Sequence, residues 1–102
     1  MPAAAFSAPA AVLLVLLPPP AVRATLPAGW LARLAELQGQ LGAGVRVLTI
    51  DEATHPTVVR SFGAPPLPAC VLMRQGVELW RQTGLPSADT LHTVLLAAAP
   101  LS

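Results

Sequence analysis

Apolar residues form two patterns in the first half of this chain, a continuous run and a helical spacing, and each pattern predicts one kind of element. A continuous apolar run over residues 11–17 is typical of a strand that is buried on both faces. Apolar residues then recur at helical spacing, which predicts a helix over residues 27–41 that ends at Gly42 or Gly44. A second apolar strand follows over residues 45–50. Together these elements form one right-handed βαβ unit.

The second half of the chain predicts a short helix, a hairpin and a final helix. The short helix covers residues 55–61, and Pro68 opens a strand over residues 69–74 because its missing N–H does no harm at a first position. Gln75 and Gly76 turn the chain into an antiparallel strand over residues 77–82. The last helix starts after Pro86, with Ser87 as its N-cap and with a buried stripe of Leu91, Val94, Leu95 and Ala98.

The length of 102 residues allows a single domain. Residues 1–9 are rich in alanine, proline and serine, so we expect a flexible N-terminus followed by one domain over residues 10–102. We predict an α/β fold, a four-stranded mixed β-sheet covered by helices on both faces. The predicted strand order in the sheet is second, first, third and fourth.

From Phe62 onward the chain resembles the C-terminal half of thioredoxin. The matching features are an aromatic-glycine pair, an apolar-proline pair, an apolar strand, a basic residue before glycine, a second strand ending at glycine and a final helix. In this sequence they are Phe62-Gly63, Leu67-Pro68, Val71 to Met73, Arg74 to Gly76, Gly84 and Leu91 to Leu96. The upstream strand that ends in Ile50-Asp51 also resembles the family. The resemblance implies a thioredoxin-like fold and a cis peptide bond at Pro68.

The Cys-x-x-Cys motif of thioredoxin is missing from this chain. The family register places Val22, Arg23, Ala24 and Thr25 at those positions, and none of them can exchange a disulfide. The same register places Leu16 where the family has a buried acid and Pro18 where it has an active-site tryptophan. The resemblance therefore implies a retained fold without dithiol catalysis.

Cys70 is the single cysteine of the chain. Its position inside an apolar strand favours a small buried side chain, because no helix N-terminus or adjacent cation is evident that would lower its pKa. Strand alternation puts Cys70, Leu72 and Arg74 on one face of the sheet and Ala69, Val71 and Met73 on the other. The alternative is a monothiol site that forms a mixed disulfide.

Charge and composition argue against several other functions. The six basic residues are scattered arginines opposed by five acids, which gives a net charge of +1 and no clustered face for nucleic acid. His55, His92 and Cys70 lack the spacing of metal ligands, so we expect no metal and no cofactor. We expect Asp51 and Glu52 to cap the turn that follows their strand. We expect Trp30 and Trp80 to pack against the core, although a tryptophan on an edge strand could also contact a partner protein. Ser87 has no triad partner in the sequence.

Two functions of different classes remain, together with the possibility of a decayed copy without a specific role. The first is a redox-inactive binding or accessory module, in which the resemblance implies that Leu67, next to Pro68, offers its backbone to an extended peptide or protein partner. In that groove, the segment from Val22 to Thr25 forms the other wall, with Arg23 at the rim. The second is a thiol-disulfide oxidoreductase that acts in cell redox homeostasis through Cys70 or through a partner's thiol.

The apolar run near the N-terminus is compatible with two cellular locations. Residues 10–24 resemble a signal peptide with a cleavage site after Ala24, and the protein would then be exported. Against this, no basic residue precedes Arg23, and the run is too short to span a bilayer. If the run is instead the central strand, its removal would destroy the sheet, so we expect a cytoplasmic protein with no membrane partner.

Overall fold

The computed structural model describes residues 11–98. The flexible segment predicted for residues 1–9 lies outside this range. Within residues 11–98, the first element is a strand, and strands and helices alternate up to the final hairpin and helix. In order, the elements are β1 (Ala11–Leu17), a 3-10 helix (Pro20–Thr25), α1 (Trp30–Leu41), a 3-10 turn (Gly42–Gly44), β2 (Val45–Asp51), α2 (Pro56–Ser61), β3 (Ala69–Arg74), β4 (Val77–Thr83) and α3 (Ala88–Ala98).

The four strands form one mixed sheet in the order β2, β1, β3, β4, as predicted. β1 runs parallel to β2 and antiparallel to β3, and β3 and β4 form the antiparallel hairpin. β1 is therefore the central strand with a neighbour on each side. Its continuous apolar run follows from this position, since both of its faces pack against other parts of the protein.

Helices cover both faces of the sheet and divide the core into two clusters. The larger cluster joins β1 and β3 to α1 and α3 through residues such as Leu13, Leu72, Leu37 and Leu91. The smaller cluster lies on the opposite face, where Val59 of α2 packs with residues of β1 and β3. The predicted alternation along β3 is confirmed, because Cys70 and Leu72 lie in the larger cluster whereas Ala69, Val71 and Met73 lie in the smaller one.

The predicted start of α1 at residue 27 is wrong, because the helix begins at Trp30. Gly29 precedes it with a φ of 74°, a left-handed conformation that glycine adopts without strain and that cannot continue a helix. The proline-rich stretch before it forms the 3-10 helix Pro20–Thr25, which sequence patterning did not predict. At the other end, Gly42 ends the helix as expected.

Local turn chemistry explains the hairpin and the start of α3. Gln75 and Gly76 have φ angles of 50° and 80°, so both central positions of the turn are left-handed, as in a tight two-residue hairpin. The Ser87 hydroxyl accepts a hydrogen bond from the Thr90 N–H at 3.2 Å. This bond confirms Ser87 as the N-cap of α3.

Candidate functional site

The ends of three strands bring the sequence-predicted site residues to one edge of the sheet. The carboxyl ends of β1 and β2 lie side by side, with Leu17 opposite Asp51. Because β3 runs antiparallel to β1, its first residue Ala69 lies opposite Leu16 at this same edge. The 3-10 helix that follows β1 and the Leu67-Pro68 pair that precedes β3 therefore both belong to the edge at which the parallel strands end.

Leu67 and Pro68 lie directly before β3, and two backbone features define their geometry. The peptide bond between them is cis. The Pro68 carbonyl accepts a hydrogen bond from the Gly84 N–H at 2.8 Å, which ties the start of β3 to the end of β4. The N–H and C=O of Leu67 have no hydrogen-bond partner within residues 11–98, and its side chain is half-buried against the smaller core cluster. Both backbone groups of Leu67 are thus without an internal partner in the described range.

The segment from Val22 to Thr25 lies in the 3-10 helix Pro20–Thr25. The Val22 N–H donates to the Pro19 carbonyl at 3.0 Å, and the Leu26 N–H donates to the Arg23 carbonyl at the same distance. Leu26 is buried in the larger core cluster and anchors the end of the segment. Val22 is 46% exposed, so the segment presents an apolar side chain at its surface.

Arg23 connects this segment to the end of β2. Its Nη2 atom lies 2.8 Å from Asp51 Oδ2 in an ion pair whose side chains are 30% and 26% exposed. Its Nε donates to the Pro18 carbonyl at 3.2 Å, and its guanidinium carbon lies 5.9 Å from the centre of the Trp30 ring. Arg23 is thus held by three groups, whereas the sequence analysis placed it at the rim of a groove. Sequence reasoning missed the pair, although parallel strands that end at one edge could have suggested it.

Asp51 also performs the capping role that its sequence position indicated. Its Oδ1 atom accepts a hydrogen bond from the Ala53 N–H at 2.8 Å, in the turn that follows β2. One carboxylate therefore orders the turn with one oxygen and holds Arg23 with the other. A pair of this exposure contributes little energy on its own, so its effect is to position the 3-10 helix.

We expect a double-mutant cycle of Arg23→Gln and Asp51→Asn to give a coupling free energy of about 0.5–1 kcal/mol. The value is small because both side chains remain partly solvated. Urea unfolding of the four proteins measures the coupling. Arg33→Gln is the matched control, since Arg33 is exposed on α1 and should show no coupling to Asp51→Asn. Equal coupling for both arginines would contradict a specific Arg23–Asp51 contact.

Cys70 follows Ala69 in β3, and it is buried inside the sheet. Its side chain has no solvent exposure and belongs to the larger core cluster. Burial raises the pKa of the Cys70 thiol from 9.0 to about 12. A neutral thiol is a poor nucleophile and a poor metal ligand, because the thiolate is the reactive form.

The other candidate residues are two histidines and two tryptophans. His55 and His92 are exposed, and no group of three histidine, cysteine or acidic residues within the described chain could hold a metal ion. Trp30 and Trp80 are half-buried and pack on the larger core cluster. Between Ala11 and Ala98, none of the helices has both the length and the apolar character needed to cross a membrane.

A cleft of about 400 Å³ lies between α1 and the start of α3, and the sequence did not predict it. Arg33 and His92 line it together with Glu36 and Asp89. Because cationic and acidic side chains share its walls, the cleft selects no single charge. All of these side chains are exposed.

Comparison with known proteins gives a likeness in structure only. No protein-family model matches the chain, and no curated protein sequence matches it. A thioredoxin-2 described as a component of the malaria parasite protein secretion machinery is 18% identical, with a TM-score of 0.67 over 85% of this chain and 82% of its own. A mutant thioredoxin from Halobacterium salinarum is 20% identical, with a TM-score of 0.63 over 95% of this chain and 81% of its own.

A further malarial protein of solved structure is 18% identical, with a TM-score of 0.67 over 88% of this chain and 98% of its own. At such identities a structural match shows the fold and leaves the chemistry open. The strand order, the helices on both faces of the sheet and the resemblance of the sequence from Phe62 onward agree with these matches. This chain has a thioredoxin-like fold.

Proposed function

We propose that this thioredoxin-like domain binds an extended peptide or protein segment at Leu67 and Pro68 and performs no dithiol-disulfide exchange. The observation that carries the proposal is the backbone of Leu67, whose N–H and C=O have no partner among residues 11–98. An extended peptide that pairs with these two groups would add a short strand beside the start of β3. This is β-augmentation, in which main-chain hydrogen bonds supply affinity without any thiol.

The thiol content of the chain supports a non-catalytic role. Dithiol exchange needs one thiol to attack and a second thiol to resolve the mixed disulfide. Cys70 is the single cysteine in 102 residues, and it is buried. The family's cysteine positions hold Val22, Arg23, Ala24 and Thr25, which supply no nucleophile.

The neighbouring side chains favour an apolar partner segment. Val22 is exposed, Leu67 is half-buried, and both lie at the edge where β1 ends and β3 begins. The charge of Arg23 is balanced by Asp51 at 2.8 Å, so this pair presents no unbalanced charge to a ligand. The proposed partner is therefore a short extended segment with apolar side chains.

We also propose that the protein acts in the cytoplasm with its N-terminal apolar run retained. Cleavage after Ala24 would remove β1, which pairs with β2 on one side and β3 on the other. The remaining strands would form a β3-β4 hairpin and an isolated β2. Such a product could not keep the sheet, which argues against export through a cleaved signal peptide.

We expect Leu67→Asp to weaken peptide binding by at least about tenfold, because a carboxylate at the groove opposes an apolar ligand. The ligand would be a twelve-residue peptide selected on the intact protein from a random display library, and its affinity would be measured by calorimetry. Leu31→Asp is the matched control, since Leu31 is 65% exposed on α1 and lies outside the groove. This control should bind the peptide with unchanged affinity.

Backbone amide shifts of the wild-type protein test the same site without a substitution. The peptide should shift the Leu67 amide and those of the first residues of β3. Peptide binding that spares these amides and survives Leu67→Asp would overturn the site assignment. Failure to select any peptide would overturn the proposal of an extended-peptide ligand.

A further inference from the structure

The sequence of β2 makes its outer edge prone to pairing with other chains. β2 is the first strand in the order β2, β1, β3, β4, so among the described strands it pairs with β1 alone. Val45, Val47, Thr49 and Ile50 are β-branched, which favours strand pairing. Val47, Leu48 and Ile50 are half-buried, so part of their apolar surface remains accessible. An edge strand of this composition is a template for further strands unless another part of the protein covers it.

The backbone groups of β2 alternate between β1 and the outer edge. The Glu52 N–H donates to the Leu17 carbonyl at 3.0 Å, and Leu17 lies opposite Asp51 in the parallel pair. This bond fixes the even-numbered residues of β2 as those that bond to β1. The N–H and carbonyl groups of the odd-numbered residues, from Val45 to Asp51, therefore point away from the sheet.

The side chain of Gln38 on α1 covers the first part of this edge. Its Nε2 atom donates to the Val45 carbonyl, and its Oε1 atom accepts from the Val47 N–H, both at 2.8 Å. A residue of a neighbouring parallel strand would bond to the same two groups in the same way. Nε2 also donates to the Gly42 carbonyl at 3.1 Å. The Gln38 amide thus occupies the position of one residue of an additional strand.

The far end of the edge is covered as well. The His55 N–H donates to the Asp51 carbonyl at 2.8 Å. Between these two contacts, Thr49 is the one outward residue of β2 whose N–H and carbonyl both lack a hydrogen-bond partner within residues 11–98. A contact of one or two residues around Thr49 is too short for a stable strand pair, since strands usually extend over about five residues.

We propose that Gln38 closes the edge of β2 against strand addition and thereby prevents self-association of this chain. A further strand, parallel or antiparallel, would have to occupy the space that the Gln38 amide fills beside Val47. Without this amide, the outward groups from Val45 to Thr49 would form a continuous edge of five residues. The strand that Gln38 excludes is β2 of a second copy, because every copy carries the same β-branched edge.

Hydrogen exchange of the intact wild-type protein tests the Gln38 contact without a substitution. After correction for intrinsic rates, the Val47 amide should exchange at least about tenfold more slowly than the Thr49 amide. The Val47 N–H bonds to Gln38, whereas the Thr49 N–H has no partner in the described part of the chain. Both amides lie on the same edge of the same strand, so opening of the sheet affects them alike. Equal exchange rates would overturn the proposal.

Gln38→Ala tests whether this contact prevents self-association. The substitution removes the amide from the edge and keeps a good helix former in α1. Sedimentation velocity from about 10 μM to about 1 mM should show a monomeric wild type and a variant that associates at least about tenfold more strongly. Gln40→Ala is the matched control, since Gln40 lies on the same helix with an exposed side chain. This control should sediment like the wild type.

Two further variants separate an open edge from a general loss of stability. Thr49→Lys added to Gln38→Ala places a charge at the centre of the opened edge and should return the protein to a monomer. Val59→Ala weakens the smaller core cluster but leaves the Gln38 contacts in place, so it should stay monomeric.

Three outcomes of these measurements would overturn the proposal. The first is a Gln38→Ala protein that associates no more strongly than the wild type up to about 1 mM. The second is an association that Thr49→Lys leaves unchanged, because the contact would then lie outside β2. The third is a Val59→Ala protein that associates as strongly as Gln38→Ala, because lost stability would then be the cause. Peptide binding at Leu67 has no part in these measurements, so its failure leaves them decisive.

Discussion

At pH 7.5, oxidised glutathione should leave Cys70 unmodified in the folded protein and modify it in the unfolded chain. Burial raises the pKa of this thiol from 9.0 to about 12, which lowers the thiolate fraction about a thousandfold, and the side chain has no solvent exposure. Intact mass of native and urea-unfolded samples over the same interval measures the difference. Cys70→Ala serves as the control that shows no mass shift in either state.

A native thiol that reacts as fast as the unfolded one would contradict the buried position of Cys70. It would also favour the alternative function, a thiol-disulfide oxidoreductase that acts through this residue. In that reaction the Cys70 thiolate would attack a disulfide sulfur and release one thiolate as leaving group. If the native thiol does not react, Cys70 is not the nucleophile of an oxidoreductase. A partner would then have to supply both thiols of any exchange.

The same burial predicts an alkaline loss of stability with a defined slope. The folded protein keeps the Cys70 proton between pH 9 and 12, whereas the unfolded chain loses it, so the free energy of unfolding falls as pH rises through this window. The slope approaches about 1.4 kcal/mol per pH unit. The chain contains neither lysine nor tyrosine, so few other groups titrate there. Denaturant unfolding of the wild type and Cys70→Ala from pH 8.5 to 11 should show the slope in the wild type alone.

Leu13→Ala should lower the free energy of unfolding by about 3–4 kcal/mol. Leu13 lies in the middle of the central strand with no solvent exposure and packs in the larger core cluster, so its truncation leaves a cavity that few neighbours can fill. Urea unfolding measures the change. Leu96→Ala on α3 is the matched control, since Leu96 is 79% exposed and its loss should cost less than about 0.5 kcal/mol.

Leu13→Ala also separates the two interpretations of the N-terminal run. If residues 10–24 formed a signal peptide that the folded domain does not need, truncation of Leu13 would leave the stability of the mature protein unchanged. An unchanged unfolding curve for Leu13→Ala would therefore contradict the retained central strand and the cytoplasmic location that we propose.

Much of the fold could be predicted because its elements depend on local pattern. The bounds of β1 follow from its apolar run and the prolines after it, and β3 starts directly after Pro68. Ser87 and Gln75-Gly76 act through neighbouring backbone groups, so their roles as a cap and a turn could be recognised in the sequence. The start of α1 was mispredicted because helical periodicity near residue 27 does not reveal the left-handed φ of Gly29.

The candidate site was predictable in its positions and less so in its contacts. The sequence placed Leu67 and Pro68 before β3 and Val22 to Thr25 after β1. It did not reveal that Arg23 bonds to Asp51, because these residues are 28 positions apart and meet only when β1 and β2 pair. The Gln38 contacts with the β2 edge escaped prediction for a similar reason, since they depend on how α1 packs against β2.

The sequence by itself determined the order of strands and helices, the thioredoxin-like resemblance and the lack of a second thiol. These properties depend on residue type and on spacing along the chain. Tertiary structure alone decided that Arg23 is held by Asp51, that the Leu67 backbone groups have no hydrogen-bond partner within residues 11–98, and that the Gln38 side chain bonds to the outer edge of β2. Each of these features depends on groups from separate segments, and only chain packing determines which groups find partners.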